Sequence, residues 1–392
     1  MRIGILTGGG DCPGLNSVIY GVLLRAYESG DEVVGIEKGW KGFMENITRP
    51  LNIAELDDLH TVGGTILYTS RTNPLKEAKQ IDDPEQREES IKLVVQKMIA
   101  KFKELNIDTL VAIGGDDTLG VAAALSAYGG AKVVGVPKTI DNDLSNTDYT
   151  FGFWSAVQLA SNAMDNLTTT ASSHQRIFVV QVMGRDAGWL TLASGISNGS
   201  DAILLPEMPF DLEKDIVEIL RQRVEKGYKY HIIACAEGAV PSKESISRDF
   251  RTITQADIDN LPKDSFGNPL LAKLNISKVL VKEIEGRDDL RTHFKKYNAE
   301  FEVRDIILGH TMRAGTPNSF DRILGLRLGV KAGDLIAAGD FGKMVCLKGE
   351  VIESAPLVDG AQKKLVPVDS DWLRIAGLIT KVKHKSKRSK VP

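Results

Sequence analysis

Short runs of apolar, β-branched residues alternate along this chain with stretches whose apolar positions recur at helical spacing. The first run, Arg2 to Thr7 (RIGILT), stops abruptly at Gly8-Gly9-Gly10. Leu15, Val18, Ile19, Val22 and Leu23 then fall at helical spacing, and Glu32 to Ile36 reads as a second strand. The same alternation returns as a helical stretch over Ile91–Leu105, an apolar run Thr109–Ile113, Gly114-Gly115, an Ala-rich helix and the run Lys132–Val136. Further short runs occupy Ile177–Val182, Ala202–Leu205 and Tyr230–Ala234. Strands alternating with helices predict βαβ units and a mainly parallel sheet, the α/β class.

Two stretches break the pattern. Residues 241–276 are polar, carry Pro241, Pro262 and Pro269, and contain SFGNP at 265–269, so they read as an insertion or loop region. The end, KVKHKSKRSKVP over 381–392, is of low complexity with little to pack, and is expected to be a disordered basic tail. Charge sharpens this division. The net −3 is the sum of a tail with six Lys/Arg and no acid and a body, residues 1–380, that carries −9. A near-neutral chain with 42% hydrophobic and 26% charged residues is an ordinary globular protein, not a dedicated nucleic-acid binder. At ~150 residues per domain, 392 residues point to two or three domains. Cys12, Cys235 and Cys346 have no paired spacing, which argues against a disulfide framework or structural zinc. The opening MRIGILTGGG has no signal-peptide pattern and no stretch approaches the ~20 apolar residues of a membrane span, so a cytoplasmic location is expected, with no membrane partner.

Four features sit where βα units place a ligand, at the C-terminal ends of strands. Gly8-Gly9-Gly10-Asp11-Cys12-Pro13-Gly14 lets backbone approach an anion at a helix N-terminus, although a tight structural turn accounts for it as well. In Gly114-Gly115-Asp116-Asp117-Thr118 two adjacent carboxylates suit a divalent ion lying between protein and phosphate; the alternative is an acidic helix start. The loop Pro137-Lys138-Thr139-Ile140-Asp141-Asn142-Asp143 offers a carboxylate to deprotonate an alcohol, an ammonium to neutralise phosphoryl oxygens and a hydroxyl donor; an Asx-rich turn is the plainer reading. The fourth is a set of cations able to clamp phosphate: Arg71, Arg176, Arg185, Arg304, His310 and Arg313, each of which alone is an ordinary surface charge.

Taken in order, the strings GGGDCPGLN, GGT…TSR, GGDDT, PKTIDND, TDYTFGF, SSHQR, VMGR, AEG and LGHTMRAGTP resemble those of the bacterial-type 6-phosphofructokinase family, from residue 2 to about 330. The resemblance implies two Rossmann-like α/β domains with mainly parallel sheets and an active site in the cleft between them. Domain one would comprise 1–152 plus 312–362, and domain two 153–311 plus 363–380. By the same resemblance Asp141 is the proton acceptor for the sugar 1-hydroxyl, with Thr139, Ile140 and Asp143 beside it. Asp116 is the Mg²⁺-associated carboxylate, and Gly10 touches the phosphoryl donor. Met183, Gly184 and Arg185 hold sugar and transferring phosphate, Glu237 meets a sugar hydroxyl, and Arg176, Arg304, His310 and Arg313 form the 6-phosphate pocket. In the family the first two of those arginines reach the pocket from a neighbouring subunit, which implies a homodimer or homotetramer.

Two departures from the common ATP-using pattern bear on the donor. Where such relatives read GGDGS or GGDGT this chain has Asp117, and where they often read PGTIDND it has Lys138. A carboxylate in place of the glycine adds bulk and negative charge facing the nucleotide's α-phosphate. At an effective dielectric constant of ~20, two unit charges 4 Å apart repel by ~4 kcal/mol, and ~1.4 kcal/mol already changes affinity tenfold. Lys138 supplies charge to a donor that lacks adenosine, and with Arg71 and Gly10 would bind diphosphate. The pair resembles the pyrophosphate-dependent members. The expected reaction is reversible, Mg²⁺-dependent transfer from diphosphate to fructose 6-phosphate, giving fructose 1,6-bisphosphate and phosphate. Competing readings are an ATP-dependent enzyme, a non-catalytic sugar-phosphate-binding subunit, and a lipid or NAD kinase sharing the GGDxT turn. Tyr20 and Leu24 stand where regulated relatives carry effector-binding arginines, with Arg25 adjacent, so weak or absent nucleotide control is expected.

Overall fold

The computed structural model describes residues 1–263 and 269–385. The chain divides into two compact units with junctions at 156/157, 312/313 and 364/365, against 152/153, 311/312 and 362/363 expected from the sequence. Neither unit is continuous in sequence, because residues 313–364 return to complete the first.

The first unit is built on a seven-stranded sheet. Its strands are β1 (Arg2–Thr7), β2 (Glu32–Ile36), β3 (Thr48–Leu51), β4 (Thr109–Gly114), β5 (Val133–Pro137), and two strands here numbered β10 (Lys343–Lys348) and β11 (Val351–Pro356) by chain order. The second unit supplies β6 (Arg176–Val182), β7 (Ala202–Leu204), β8 (His231–Ala236) and β9 (Glu302–Ile307) between them. In the first sheet the order is β11-β10-β5-β4-β1-β2-β3. The inner strands pair in parallel, and β3 and β11 close the two edges antiparallel. The chain runs from β1 outward to β2 and then returns to place β4 on the other side of β1. That reversal makes the C-terminal ends of β1 and β4 a topological switch point, the position at which open α/β sheets receive ligands. β4 and β5 are buried along their whole length, as near-continuous apolar runs between covering helices should be.

The returning segment is held by close backbone approach. Gly329, on the helix Ser319–Ala337, lies so near the helix Leu15–Ser29 that an added Cβ would stand 2.3 Å from the Val18 carbonyl oxygen. At its N-terminus this helix is capped by Asn318, whose side chain accepts from the Asp321 N–H. The Asp321 carboxylate is fully buried and accepts from both the N–H and the hydroxyl of Ser155, each at 2.6 Å.

The second unit carries a four-stranded, wholly parallel sheet in the order β7-β8-β6-β9. Its switch point lies at β6, flanked by β8 and β9. The region expected as an irregular insertion, residues 241–276, is instead largely helical where it is described: Lys243–Asp249, Gln255–Asp259 and a 3₁₀ turn at Leu271–Leu274. Ser242 caps the first of these helices, and Thr254 with Asp257 forms a reciprocal capping box on the second. Ile246, Ile253 and Ile258 carry the stretch into the same apolar core that lies under β6 and β8. These isoleucines, spaced among many polar residues, are too sparse to show a period, but two capped turns are enough to aim them inward. Residues 264–268, most of the SFGNP string, fall outside the described residues. The final helix, Asp371–Lys385, runs five residues beyond the expected end of folded chain at 380, and the rest of the expected tail, 386–392, falls outside the described residues. No helix among the described residues is long and apolar enough to cross a membrane.

Burial raises the Asp321 carboxyl from 3.8 to about 6, against the stabilising bonds from Ser155. A folded pKa above the unfolded one favours folding at low pH, and that contribution is lost as pH rises through about 6. The full shift corresponds to about 3 kcal/mol. Relative to wild type, Asp321→Asn is therefore expected to gain about 2 kcal/mol of stability between roughly pH 4.5 and pH 7.5 in urea unfolding; a constant offset at all pH values would show that this carboxyl does not titrate as described.

Candidate active site

Three loops of the first unit leave adjacent strands, β1, β4 and β5, at the same sheet edge. They are Gly8–Gly10, Gly115–Asp117 and Lys138–Asp143. The Gly8 N–H donates to the Ile113 carbonyl at 2.9 Å, and the Lys138 N–H to the Gly114 carbonyl at 2.9 Å, so each loop is pinned where its strand ends. Thr118 fills the space between two of them: a Cβ on Gly8 would come within 2.5 Å of its hydroxyl oxygen, and one on Gly114 within 2.3 Å of its Cβ. Gly9 adopts φ +81°, in the left-handed region that glycine tolerates.

Lys138 is the anchor of this arrangement. Its side chain is 4% exposed and its ammonium donates to the Gly10 carbonyl at 2.6 Å. Burial pulls its pKa below the ordinary lysine value, while Cys12, Asp141 and Asp143 pull the other way. The Cys12 thiol beneath the loop is pushed up to about 12 by burial, which leaves it an inert packing group. Arg313 donates from Nη1 to the Asp11 carbonyl at 3.2 Å. Two cations thus hold the carbonyl oxygens of the glycine loop, the groups that would otherwise repel a phosphate. Arg71 is exposed beside Ser70, whose carbonyl accepts from the Gly9 N–H at 3.0 Å.

Asp116 and Asp117 are exposed in the first turn of the helix Asp116–Gly129, and Asp116 Oδ1 accepts from the Asp117 N–H at 2.9 Å. Asp117 Oδ1 accepts from Asn73 Nδ2 at 2.9 Å, and Asn73 Oδ1 in turn accepts from the Leu75 N–H. Sequence alone does not mark Asn73: its only signal is Asn before Pro in TSRTNP, which reads as a turn. In the third loop the Thr139 hydroxyl accepts from the Asp141 N–H at 3.0 Å and bonds the Asp143 carboxylate. Ile140 is buried between them. Asn142 takes φ +51° and its Oδ1 accepts from the Thr150 N–H. A second residue hidden from sequence reading, Lys364, donates through Nζ to Asn142 Oδ1 at 3.2 Å and to the Thr147 and Asp148 carbonyls at 2.9 and 3.0 Å. Burial pulls its ammonium down to about 8.

The residues suit a divalent cation. Burial raises the Asp143 carboxyl, the Thr139 bond opposes that, and the negative charge of Asp116 raises it further. A carboxyl whose ionisation is opposed by burial and by a neighbouring carboxylate is one that a cation relieves. Mg²⁺ typically takes only one or two carboxylates and completes its shell with water and substrate phosphate.

In the second unit the expected residues separate into two groups. Met183, Gly184 and Arg185 follow β6, Glu237 follows β8, and His310 lies in the 3₁₀ turn Gly309–Arg313 after β9, so these share the C-terminal edge of the sheet. The Glu237 N–H donates to the Val182 carbonyl and the Gly238 N–H to the Gly184 carbonyl, while the Leu308 N–H donates to Gln181. Arg185 is exposed and pairs with Asp186 through Nε at 3.2 Å and Nη2 at 2.9 Å. Arg176 instead begins β6, and Arg304 stands opposite Phe178, near the start of that strand. Six residues of strand, about 20 Å at ~3.3 Å each, separate Arg176 from the far edge. Both arginines bind Glu302, Arg176 at 2.7 Å and Arg304 at 2.6 Å, and together hold its carboxyl below the usual range. Within one chain these two cations therefore do not join Arg185 and His310. Arg313 falls in the first unit, against the glycine loop.

Known proteins resemble this chain along most of its length. The family model for phosphofructokinase matches residues 2–336. The pyrophosphate--fructose 6-phosphate 1-phosphotransferase of Amycolatopsis methanolica is 45% identical over 369 residues, covering 94% of this chain and 96% of that protein. ATP-dependent 6-phosphofructokinase 3 of Streptomyces coelicolor is 40% identical over 369 residues, covering 94% and 97%. The crystal structure of a pyrophosphate-dependent phosphofructokinase from Marinobacter aquaeolei aligns with a TM-score of 0.71 at 20% identity, over 100% of this chain and 93% of that one, and shows the shared fold.

Gly184 has φ +136°, and a Cβ there would lie 2.8 Å from the Ala187 carbonyl oxygen. Gly184→Ala is expected to lower the urea midpoint, by an amount equivalent to about 1–3 kcal/mol; an unchanged midpoint would mean that this turn relaxes freely.

Proposed function

Because the chain belongs to the phosphofructokinase family, we propose that it is the pyrophosphate-dependent enzyme, moving a phosphoryl group reversibly between diphosphate and the 1-hydroxyl of fructose 6-phosphate. The observation that carries the choice of donor is the pair Asp117 and Lys138. Asp117 is fixed by Asn73 in the position where ATP users have glycine, and Lys138 is buried with its charge against the donor loop. Its relatives include ATP-dependent enzymes, so the family alone leaves the donor open.

In the forward direction Asp141 accepts the proton of the sugar 1-hydroxyl as that oxygen bonds to phosphorus. The bridging P–O bond of diphosphate breaks and phosphate leaves; the reverse reaction retraces the same steps, with phosphate attacking the bisphosphate. Lys138, Arg71 and the Gly10 loop bind diphosphate, and Lys138 with Arg185 stabilises charge in the loose transition state, where catalysis is mostly positioning and electrostatics. Asp116, with Asp143 nearby in charge, would hold Mg²⁺, which when bound supplies neutralisation of the diphosphate oxygens. On the sugar side, Thr139, Ile140 and Asp143 flank the base, Met183, Gly184 and Glu237 orient the sugar, and His310 and Arg313 serve its 6-phosphate. Arg176 and Arg304 complete that pocket in a neighbouring subunit of a homodimer or homotetramer, a role compatible with their place at the far end of β6. Control by nucleotide effectors is weak or absent: Tyr20 stacks on His60, and Arg25 is engaged by Asp334 at 2.7 Å.

Steady-state assays with each donor test the proposal. kcat/KM for diphosphate should exceed that for ATP by at least about tenfold, the effect of ~1.4 kcal/mol, and the double substitution Asp117→Gly, Lys138→Gly should shift preference toward ATP. A higher kcat/KM with ATP in the unaltered protein would overturn the donor assignment. Asp141→Ala is expected to lower kcat by about 10²–10⁴, and near wild-type turnover would remove Asp141 as the base. Chelation by EDTA should abolish activity and added Mg²⁺ restore it; undiminished turnover in EDTA would exclude the metal role given to Asp116.

A further inference from the structure

Between the end of β5 at Pro137 and the helix that starts at Phe153, the loop that carries Asp141 and Asp143 has no helix or strand, only isolated bridges from Lys138 to Phe151 across its base and from Leu144 to Lys363. Between those two points its shape draws on contacts from elsewhere, and one residue supplies a large share of them. Three bonds from the Lys364 ammonium enter this loop, at Asn142 Oδ1 and the Thr147 and Asp148 carbonyls. The backbone N–H of Lys364 donates to the Asp143 carbonyl at 2.7 Å. Four donors from one residue therefore grip Asn142, Asp143, Thr147 and Asp148. The residues just before it assist: Gln362 and Asp359 offer their carbonyls to the N–H and hydroxyl of Ser145.

The contact to Asn142 matters most, because Asn142 lies between the two carboxylates and is held in the left-handed region at φ +51°. Its Oδ1 accepts from both Lys364 and the Thr150 N–H, which fixes the peptide that joins Asp141 to Asp143. On the other side Asp141 is tied by its N–H to Thr139. Lys364 comes from the returning segment, more than 200 residues away in sequence.

We propose that Lys364 is a positioning residue of phosphoryl transfer, holding the Asp141 carboxylate in working geometry through Asn142 and the Asp143 backbone. This rests on Asp141 being the base, as proposed above. A positioning residue for the base lowers turnover without weakening substrate binding, and its effect disappears once the base is gone, since residues that act as a unit are not additive.

The test is a set of steady-state measurements on Lys364→Met, Lys364→Arg and Asn142→Gly, with Lys364→Met repeated in the Asp141→Ala background and thermal unfolding recorded for each. Expected are a fall in kcat of about 10–100-fold for Lys364→Met with KM for both substrates within about threefold, and partial recovery in Lys364→Arg. In the Asp141→Ala background the same substitution should cost less than about threefold. Asn142→Gly keeps the backbone conformation and should reproduce the kcat loss even where Lys364→Met folds poorly. The proposal is overturned if Lys364→Met and Asn142→Gly keep kcat within about twofold, if KM rises while kcat holds, or if the loss is equally large without Asp141. Wild-type turnover in Asp141→Ala alone would instead overturn the base assignment, so the two failures are distinguishable.

Discussion

A lysine ammonium buried against a glycine carbonyl organises the loop edge of the first unit. Removing a charge from water is costly unless it is hydrogen-bonded and accompanied by compensating charge. Lys138 meets that requirement with the Gly10 carbonyl and with the carboxylates of its own loop, Asp141 and Asp143. The bond joins the loop after β1 to the loop after β5, across the strand β4 that separates them in the sheet. It also leaves the glycine loop carbonyl occupied by a cation. In the proposed reading, a donor with adenosine would gain affinity from the base, whereas diphosphate offers only charge and Lys138 would answer it with charge.

The same economy recurs in how the two sheets place their ligand residues. Each reverses its strand order once, and each sets its functional loops at that reversal. In the first unit these are the loops after β1, β4 and β5, and in the second those after β6, β8 and β9. Cross-loop hydrogen bonds, Gly8 to Ile113 and Gly238 to Gly184, then turn strand order into fixed distances between side chains. Arg176 and Arg304 stand apart from that scheme, paired through Glu302 at the other end of β6.

Much of this was legible in the amino-acid sequence, for identifiable reasons. β4 and β5 are buried on both faces and so read as unbroken apolar runs ending in Gly-Gly or Pro-Lys. The edge strands were not: β3 and β11 lie at the margins of the sheet, and VIESAP in β11 alternates polar residues that an exposed edge accepts. β9, EVRDII, hides for the same reason, with Arg304 exposed on the outer strand of its sheet. Residues whose chemistry is local, such as the adjacent Asp116 and Asp117, announced themselves by spacing. Asn73 and Lys364 did not, because their contribution is a bond to a loop 44 or more than 200 residues distant, and no local pattern encodes a long-range partner. The helices within 241–276 were obscured by their polarity, since their caps and buried isoleucines carry the order that composition conceals.

If Lys138 and Asp117 select the donor as proposed, the site is matched to a bare polyanion and closed to a nucleotide. Isothermal titration calorimetry of the intact protein with Mg²⁺ and either diphosphate or a non-hydrolysable ATP analogue, without sugar, addresses it apart from any chemical step. Diphosphate should bind at least about tenfold more tightly than the analogue, a difference of ~1.4 kcal/mol or more. Equal or tighter binding of the analogue would contradict it.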